Sequence, residues 1–256
     1  MQVLLWLRCR EKQEEACEEK MKILVIIPAY NEEESLPSLL QEVYRAGYDA
    51  VVVNDASSDS TEEVVRKCGV PVLSLPVNLG IGGGVQTGFI YALRNGYDIA
   101  VQVDGDGQHD PAQISTVIAP ILADEADCVI GSRYLHEAPD TCYETPFSRR
   151  MGMHFSTGIL KLATGLRIHD TTSGFRALNR KAFGYFSTEY PVDHPEAEAL
   201  LMLHQAGFRI REVPIRMRCR VSGQSLFTFF RAALYPLRVI IGFMGLLFKK
   251  PRGERV

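Results

Sequence analysis

The chain has 256 residues, 46% hydrophobic and 23% charged, which supplies one sizeable core and excludes a disordered, collagen-like or disulfide-stapled protein. A net charge of −3 argues against a general nucleic-acid binder. That average conceals an asymmetry: residues 207–256 carry eleven Lys/Arg against two Asp/Glu and are also apolar, a pairing suited to an anionic partner such as a membrane surface.

Met1–Leu7 is too short an apolar run for a signal peptide, and a mostly charged run follows at 11–20, so residues 1–20 read as an extension. Lys22–Pro28 (KILVIIP) is a continuous apolar, β-branched run, the pattern of a strand buried on both faces. Asn31–Ala46 has helical spacing, with Leu36, Leu39, Leu40 and Val43 on one face. Ala50–Val53 is the second strand, and Asp59 or Ser60 caps a helix to about Lys67. Val70–Leu75 is a third strand, and a glycine-rich loop, Gly80–Gly84, leads into a helix ending near Arg94. Ile99–Val103 is a fourth strand ending at Asp104, Pro111 starts a helix that closes near Ala123, and Cys128–Ile130 is a fifth strand. After residue 140 the pattern is less regular: helix over Ser148–Thr164, strand over Phe175–Leu178, helix over Ala197–Gln205, and an edge strand over Arg209–Met217. Alternating strands and helices predict an α/β domain on a mostly parallel sheet, whose ligands bind at the carboxyl ends of the strands. The polar clusters Tyr30–Glu32, Asn54–Ser58, Asn78–Gly84 and Asp104–Asp110 all fall there.

Asp104-Gly105-Asp106-Gly107-Gln108 follows an apolar strand. Two carboxylates two residues apart on a glycine turn suit a hard divalent cation that keeps positions open for phosphate oxygens; a solvated turn is the bland reading of the same pattern. A phosphatase of the haloacid-dehalogenase type also places such a pair after a strand, but it wants Thr or Val where Gln108 stands. Asn78–Gly88 (NLGIGGGVQTG) is a weak phosphate signal: a dinucleotide fingerprint from Gly80 needs glycine at Val85, and a P-loop needs lysine at Phe89. Close packing of a helix explains the same glycines. Asp55, at a strand end, suits a nucleobase N–H, while Ser58 or Asp59 caps the following helix. The six cysteines form no CxxC pair, which excludes zinc spacing and points to reduced thiols in a cytosolic chain.

PAYNEEESL (Pro28–Leu36), VVVNDASSDST (Val51–Thr61), NLGIGGG (Asn78–Gly84), DGDGQHDP (Asp104–Pro111), GSRY (Gly131–Tyr134) and DTTSGFRALNR (Asp170–Arg180) occur in this order. Together they resemble family 2 inverting glycosyltransferases of the GT-A fold, nearest to the dolichyl- or polyprenyl-phosphate sugar transferases, over about Met21–Ser225. The resemblance implies that Pro28, Tyr30 and Glu32 contact the nucleoside and that Asp55 reads the base. It implies that Asp104, Asp106 and Gln108 hold Mg²⁺ or Mn²⁺ on the donor diphosphate. Arg133, Arg149 or Arg150, and Arg220 are implied near the phosphates, and Gly80 of the glycine-rich run is the donor-site candidate from the residues themselves. Arg220 stands in an Arg-x-x-Gly-x-Ser motif that departs from the family pattern, with Leu226 in place of lysine.

An acceptor oxygen would attack the anomeric carbon in line with the departing nucleoside diphosphate, with Asp106 in the catalytic set. A lipid phosphate acceptor needs no strong base, whereas a hydroxyl of a cell-envelope glycan needs a carboxylate. Glu196 and Glu198 sit where the family often carries acids, but two apart on a helix they face different ways, and a helix-start acid is the plain alternative. His109 reads as a turn or supporting residue. His169 and Asp170 open a segment that the resemblance puts near donor sugar and acceptor. Phe227, Phe229, Phe230, Leu234 and Leu237, with Arg231 and Arg238, suit an interfacial helix, and Val239–Phe248 is too short to span a bilayer. Packing against the domain or a second subunit is the alternative.

The expected organisation is an extension (1–20), a catalytic domain (21–225) and an amphipathic tail (226–256). The expected location is the cytoplasmic face of the membrane, beside a separate membrane-protein partner. A nucleotide-sugar-binding module without turnover is the alternative from another class.

Overall fold

The computed structural model describes residues 21–135, 157–191 and 195–218, with side chains omitted at 195 and 196. The expected helical tail, Arg149, Arg150, Arg220 and the side chain of Glu196 lie outside the described residues, as does most of the helix expected over Ser148–Thr164; residues 157–164 are helical.

The strands are β1 (Ile23–Ala29), β2 (Asp49–Asn54), β3 (Val72–Ser74), β4 (Ile99–Gln102), β5 (Cys128–Ser132), β6 (Arg176–Asn179) and β7 (Ile210–Pro214). The helices used below are α1 (Leu36–Arg45), α2 (Thr61–Lys67), α3 (Gly80–Arg94), α4 (Ile114–Leu122), α5 (Arg180–Thr188) and α6 (Pro195–Gln205). One seven-stranded sheet has the order β3-β2-β1-β4-β6-β5-β7. All pairings are parallel except those of β6, which lies antiparallel between β4 and β5. The edge strand expected over Arg209–Met217 is β7, shortened, and Met217 then bridges to His109.

Successive residues of a strand point to opposite faces, and β1 feeds two core layers accordingly. Val25 and Ile27 pack with Leu36, Leu39, Leu40 and Val43 of α1 and with Ile114, Val117, Ile118 and Ile121 of α4. Leu24 and Ile26 pack on the other face with Val85 and Phe89 of α3, Phe183 and Phe186 of α5, and Met202 and Leu203 of α6. Each such buried side chain contributes about 1.5–3 kcal/mol of transfer free energy. The free thiol of Cys128 lies inside the second layer, where burial pushes its pKa up to about 12 and leaves it unreactive.

Three expected elements are placed differently. The first helix begins at Leu36 rather than Asn31, because the loop before it spends its amides elsewhere. Asn31 adopts φ +56°, and the amides of Asn31, Glu32 and Glu33 donate to Ser57 Oγ, Thr61 Oγ1 and Asp59 Oδ2. The helix expected from Pro111 opens as a single 3₁₀ turn, Pro111–Gln113, before α4. The glycine run at 80–84 is not a loop: it forms the first turns of α3, which starts at Gly80.

Packing explains those glycines. A Cβ on Gly88 would stand 2.2 Å from Ile26 Cγ2, and one on Gly84 would stand 3.3 Å from Pro28 Cβ, so α3 lies directly on β1. We expect Gly88→Ala to cost about 1–3 kcal/mol through overpacking, read as a lower urea midpoint with an unchanged slope. An unchanged midpoint would mean that α3 lifts from β1 freely.

Among the described residues no helix is long and apolar enough to cross a membrane.

Candidate active site

From β1 the chain proceeds to β2 and β3 on one side, then returns to place β4 on the other. Such a reversal opens a crevice at the carboxyl ends of the two central strands, where ligands of α/β sheets bind. β1 leads there into Tyr30, β2 into Asp55 and β4 into Asp104.

Contacts join these ends into one site. The Asp55 amide donates to Ala29 O at 2.9 Å. A Cβ on Gly105 would lie 3.2 Å from Pro28 O and 3.4 Å from Glu32 Cγ, so the aspartate turn sits against the Pro28–Glu32 segment. Ser35, which the sequence reading missed, donates its hydroxyl to Gly105 O at 2.7 Å and ties α1 to the same turn. The Asn31 loop and the Ser57–Thr61 loop also lace together in the reverse direction: Ser58 N donates to Asn31 Oδ1 at 2.8 Å and Ser60 N to Glu33 Oε2 at 2.9 Å. Asp59, rather than Ser60, accepts the Thr61 amide at the start of α2. Tyr30 is well exposed at the rim.

Asp55 is nearly buried, and its two carboxylate oxygens accept the amides of Leu79 and Gly80 at 2.7 and 2.8 Å. A carboxylate therefore already occupies the electropositive start of α3. The Gly80 amide is thus directed to Asp55. Each Asp55 oxygen keeps a second lone pair for a ligand N–H.

The aspartate turn is shaped locally. Gly107 takes φ +73°, and the Gln108 amide donates to Asp106 Oδ1 at 3.1 Å. His109, essentially buried, stacks on Phe175 with ring centroids 5.1 Å apart. Its Nδ1 accepts the Asp104 amide at 3.0 Å, which leaves a neutral ring its proton on Nε2, 3.9 Å from Asp104 Oδ2. His109 thus supports the turn from beneath. Gln108 is nearly buried, and its carbonyl accepts the Arg218 amide at 2.8 Å. Arg218 also pairs with Glu42 and Asp110 at 2.6 and 2.8 Å, anchoring the chain after β7 beside this turn.

Among the described residues no group of three or more His, Cys, Asp or Glu side chains is positioned around a metal. An oxygen donor set of two carboxylates on one turn fits a hard cation that completes its shell with substrate phosphates and water, the habit of Mg²⁺. The Asp104 side chain is about one-third open (34%), as that arrangement requires.

Arg133 is held by an ion pair within the protein. Its Nε and Nη2 each donate to an Asp170 carboxylate oxygen at 2.7 Å, its amide donates to Asp170 Oδ2 at 3.1 Å, and Nη2 also reaches Thr172 Oγ1 at 2.8 Å. Both side chains of this pair are buried. The guanidinium locks the end of β5 to the 170–172 segment. Asp170 is held in turn, since its amide and that of His169 donate to the Glu212 carboxylate on β7, both at 2.8 Å. Glu198 sits half-buried on α6 beside the apolar cluster of Ala197, Leu200 and Leu201.

A central parallel sheet with one antiparallel insertion, bearing an aspartate pair at its reversal point, defines the GT-A fold of nucleotide-sugar transferases. The profile of glycosyl transferase family 2 matches residues 24–186, well over half of the chain, and the chain belongs to that family. It is 33% identical over 215 residues to an undecaprenyl-phosphate mannosyltransferase of Micrococcus luteus, covering 80% of this chain and 87% of that one. It is 31% identical over 214 residues to a UDP-N-acetylglucosamine–dolichyl-phosphate N-acetylglucosaminyltransferase of Methanococcus voltae, covering 76% and 84%. Among solved structures, glucosyl-3-phosphoglycerate synthase of Mycobacterium tuberculosis, in complex with Mn²⁺, UDP-glucose and phosphoglyceric acid, superposes with a TM-score of 0.68 at 19% identity over 94% of this chain and 85% of that one. The chain is a glycosyltransferase, with relatives in the polyprenyl-phosphate branch.

Proposed function

We propose that this glycosyltransferase moves a sugar, with inversion, from a nucleoside-diphosphate donor to a polyprenyl phosphate, with Mg²⁺ or Mn²⁺, at the cytoplasmic face of a membrane. The observation that carries the reading is the seating of the Asp104–Gly107 turn at the carboxyl end of β4, against the Pro28–Glu32 segment that also contacts Asp55. In this reading the base, ribose and diphosphate of one donor lie along that edge.

In this reading Asp55 accepts an N–H from the base, Tyr30 covers the nucleoside from the exposed rim, and Asp104, Asp106 and Gln108 hold the cation. When bound, such a cation offsets the charge that grows on the departing diphosphate. Ser35 and His109 keep the turn in register while that charge develops. An acceptor phosphate oxygen is already ionised near neutral pH, so the chain need supply position rather than a strong base. Relatives named for dolichyl- and undecaprenyl-phosphate transfer support this acceptor class, and the basic, apolar 207–256 stretch supports a membrane surface beside the site.

The test is transfer of labelled sugar from a panel of UDP- and GDP-sugars with Mg²⁺ or Mn²⁺, with undecaprenyl phosphate in vesicles. Label should move to the lipid-extractable fraction only when polyprenyl phosphate and a divalent cation are both present. Label appearing solely in a glycan acceptor, with Glu198→Gln abolishing it, would overturn the lipid-phosphate assignment.

A further inference from the structure

The last paired residues of the β4–β6 ladder are Gln102 and Arg176. Two steps further along this antiparallel register, Gly174 comes to lie across from Asp104. Side chains at directly opposed positions of an antiparallel pair share a face and approach closely. Here only one of the two exists. A Cβ built on Gly174 would stand 2.5 Å from Asp104 Oδ2, 2.6 Å from Oδ1 and 2.9 Å from Cγ. The backbone of Gly174 lies outside the left-handed region that favours glycine. Glycine at this position is a matter of space, and the space is filled by the carboxylate.

Few other contacts orient that carboxylate. Gln102 Nε2 approaches Oδ1 at 3.5 Å, His109 Nε2 stands 3.9 Å from Oδ2, and the side chain is about one-third open. A methyl group at 174 would therefore be absorbed by swinging the Asp104 side chain away, a small perturbation for the fold and a large one for an ion that the carboxylate must meet in one orientation. Gly131 differs: a Cβ there meets Ile215 and Phe175, which are core.

We infer that Gly174 is a positioning residue of the cation site, leaving open the volume in which the Asp104 carboxylate is aimed. The inference rests on the proposed role of Asp104 as a cation ligand. Its partner chemistry is a divalent cation bound with a nucleoside diphosphate.

The test compares Gly174→Ala, Asp104→Ala and the double variant in the full chain. The readouts are Mn²⁺ binding, by the electron paramagnetic resonance signal of free ion with UDP and separately with GDP, and melting temperature. Gly174→Ala should weaken Mn²⁺ binding about tenfold or more, the range for residues that orient a metal ligand. It should leave the melting temperature within about 3 °C of the parent. In the Asp104→Ala background the same substitution should change neither readout, because the carboxylate it displaces is gone. If Asp104→Ala loses Mn²⁺ affinity while Gly174→Ala keeps it, the positioning role is wrong and the cation site stands. If Asp104→Ala keeps the affinity, the cation assignment itself falls, and the inference with it. A melting temperature lowered equally by Gly174→Ala in both backgrounds would mark a packing role and also overturn it.

Discussion

Asp106→Ala should lower sugar-transfer turnover by at least about 10²–10³-fold, the loss that follows removal of one group stabilising charge in a transition state. The melting temperature should stay close to the parent. Asp106 stands on a glycine turn, and its carboxylate accepts the Gln108 amide within that turn. Asp106→Asn keeps the shape and one acceptor oxygen but removes the charge, so it should lose nearly as much turnover. Initial rates against cation concentration, beside a thermal melt, check both variants. A nucleotide-sugar-binding module without turnover would show no rate to lose, and a near-parental rate for Asp106→Ala would remove the aspartate pair from the chemistry.

Arg133→Ala should be among the most destabilising single substitutions, by about 3–5 kcal/mol, because it leaves the Asp170 carboxylate buried without its ion partner. For a domain of this size that is a fall of about 10 °C in melting temperature. Asp170→Ala should match it, stranding the guanidinium instead. The double variant should cost much less than the two losses added, since neither charge is then left alone. The geometry behind this is the two-pronged contact at 2.7 Å, with both side chains buried. A guanidinium serving donor phosphate predicts the opposite pattern: Arg133→Ala with a parental melting temperature and a raised donor KM. Thermal denaturation of the three variants separates these outcomes.

Arg133 shows where motif reading stops. GSRY names a basic residue after a strand at the correct end of the sheet, and local pattern alone cannot say whether a ligand or the protein neutralises it. Asp170 is 37 residues away and meets Arg133 because β5 and the segment entering β6 share the interior of the sheet. Gly80 illustrates the same limit. Its amide and the Asp55 carboxylate were both legible as site features, yet nothing in their spacing reveals that they bond to each other. Asn31 and Ser57 carry no chemistry of their own in the motif, but they lace two site loops together.

Most elements were legible because each is written locally. Continuous β-branched runs mark strands buried on both faces, and the Leu36/Leu39/Leu40/Val43 spacing marks one helical face. The carboxyl-edge clusters followed from chain alternation, and so did the aspartate pair that ends β4. The antiparallel direction of β6, the start of α3 at Gly80 and the opposition of Gly174 to Asp104 did not follow. Periodicity records which residues seek the interior, whereas strand order and direction are fixed by long-range hydrogen bonding between segments whose sequences carry no address for one another. Local pattern accounts for the strands, the helical faces and the acids at the strand ends; strand order, strand direction and the pairing of Arg133 with Asp170 come only from the folded sheet.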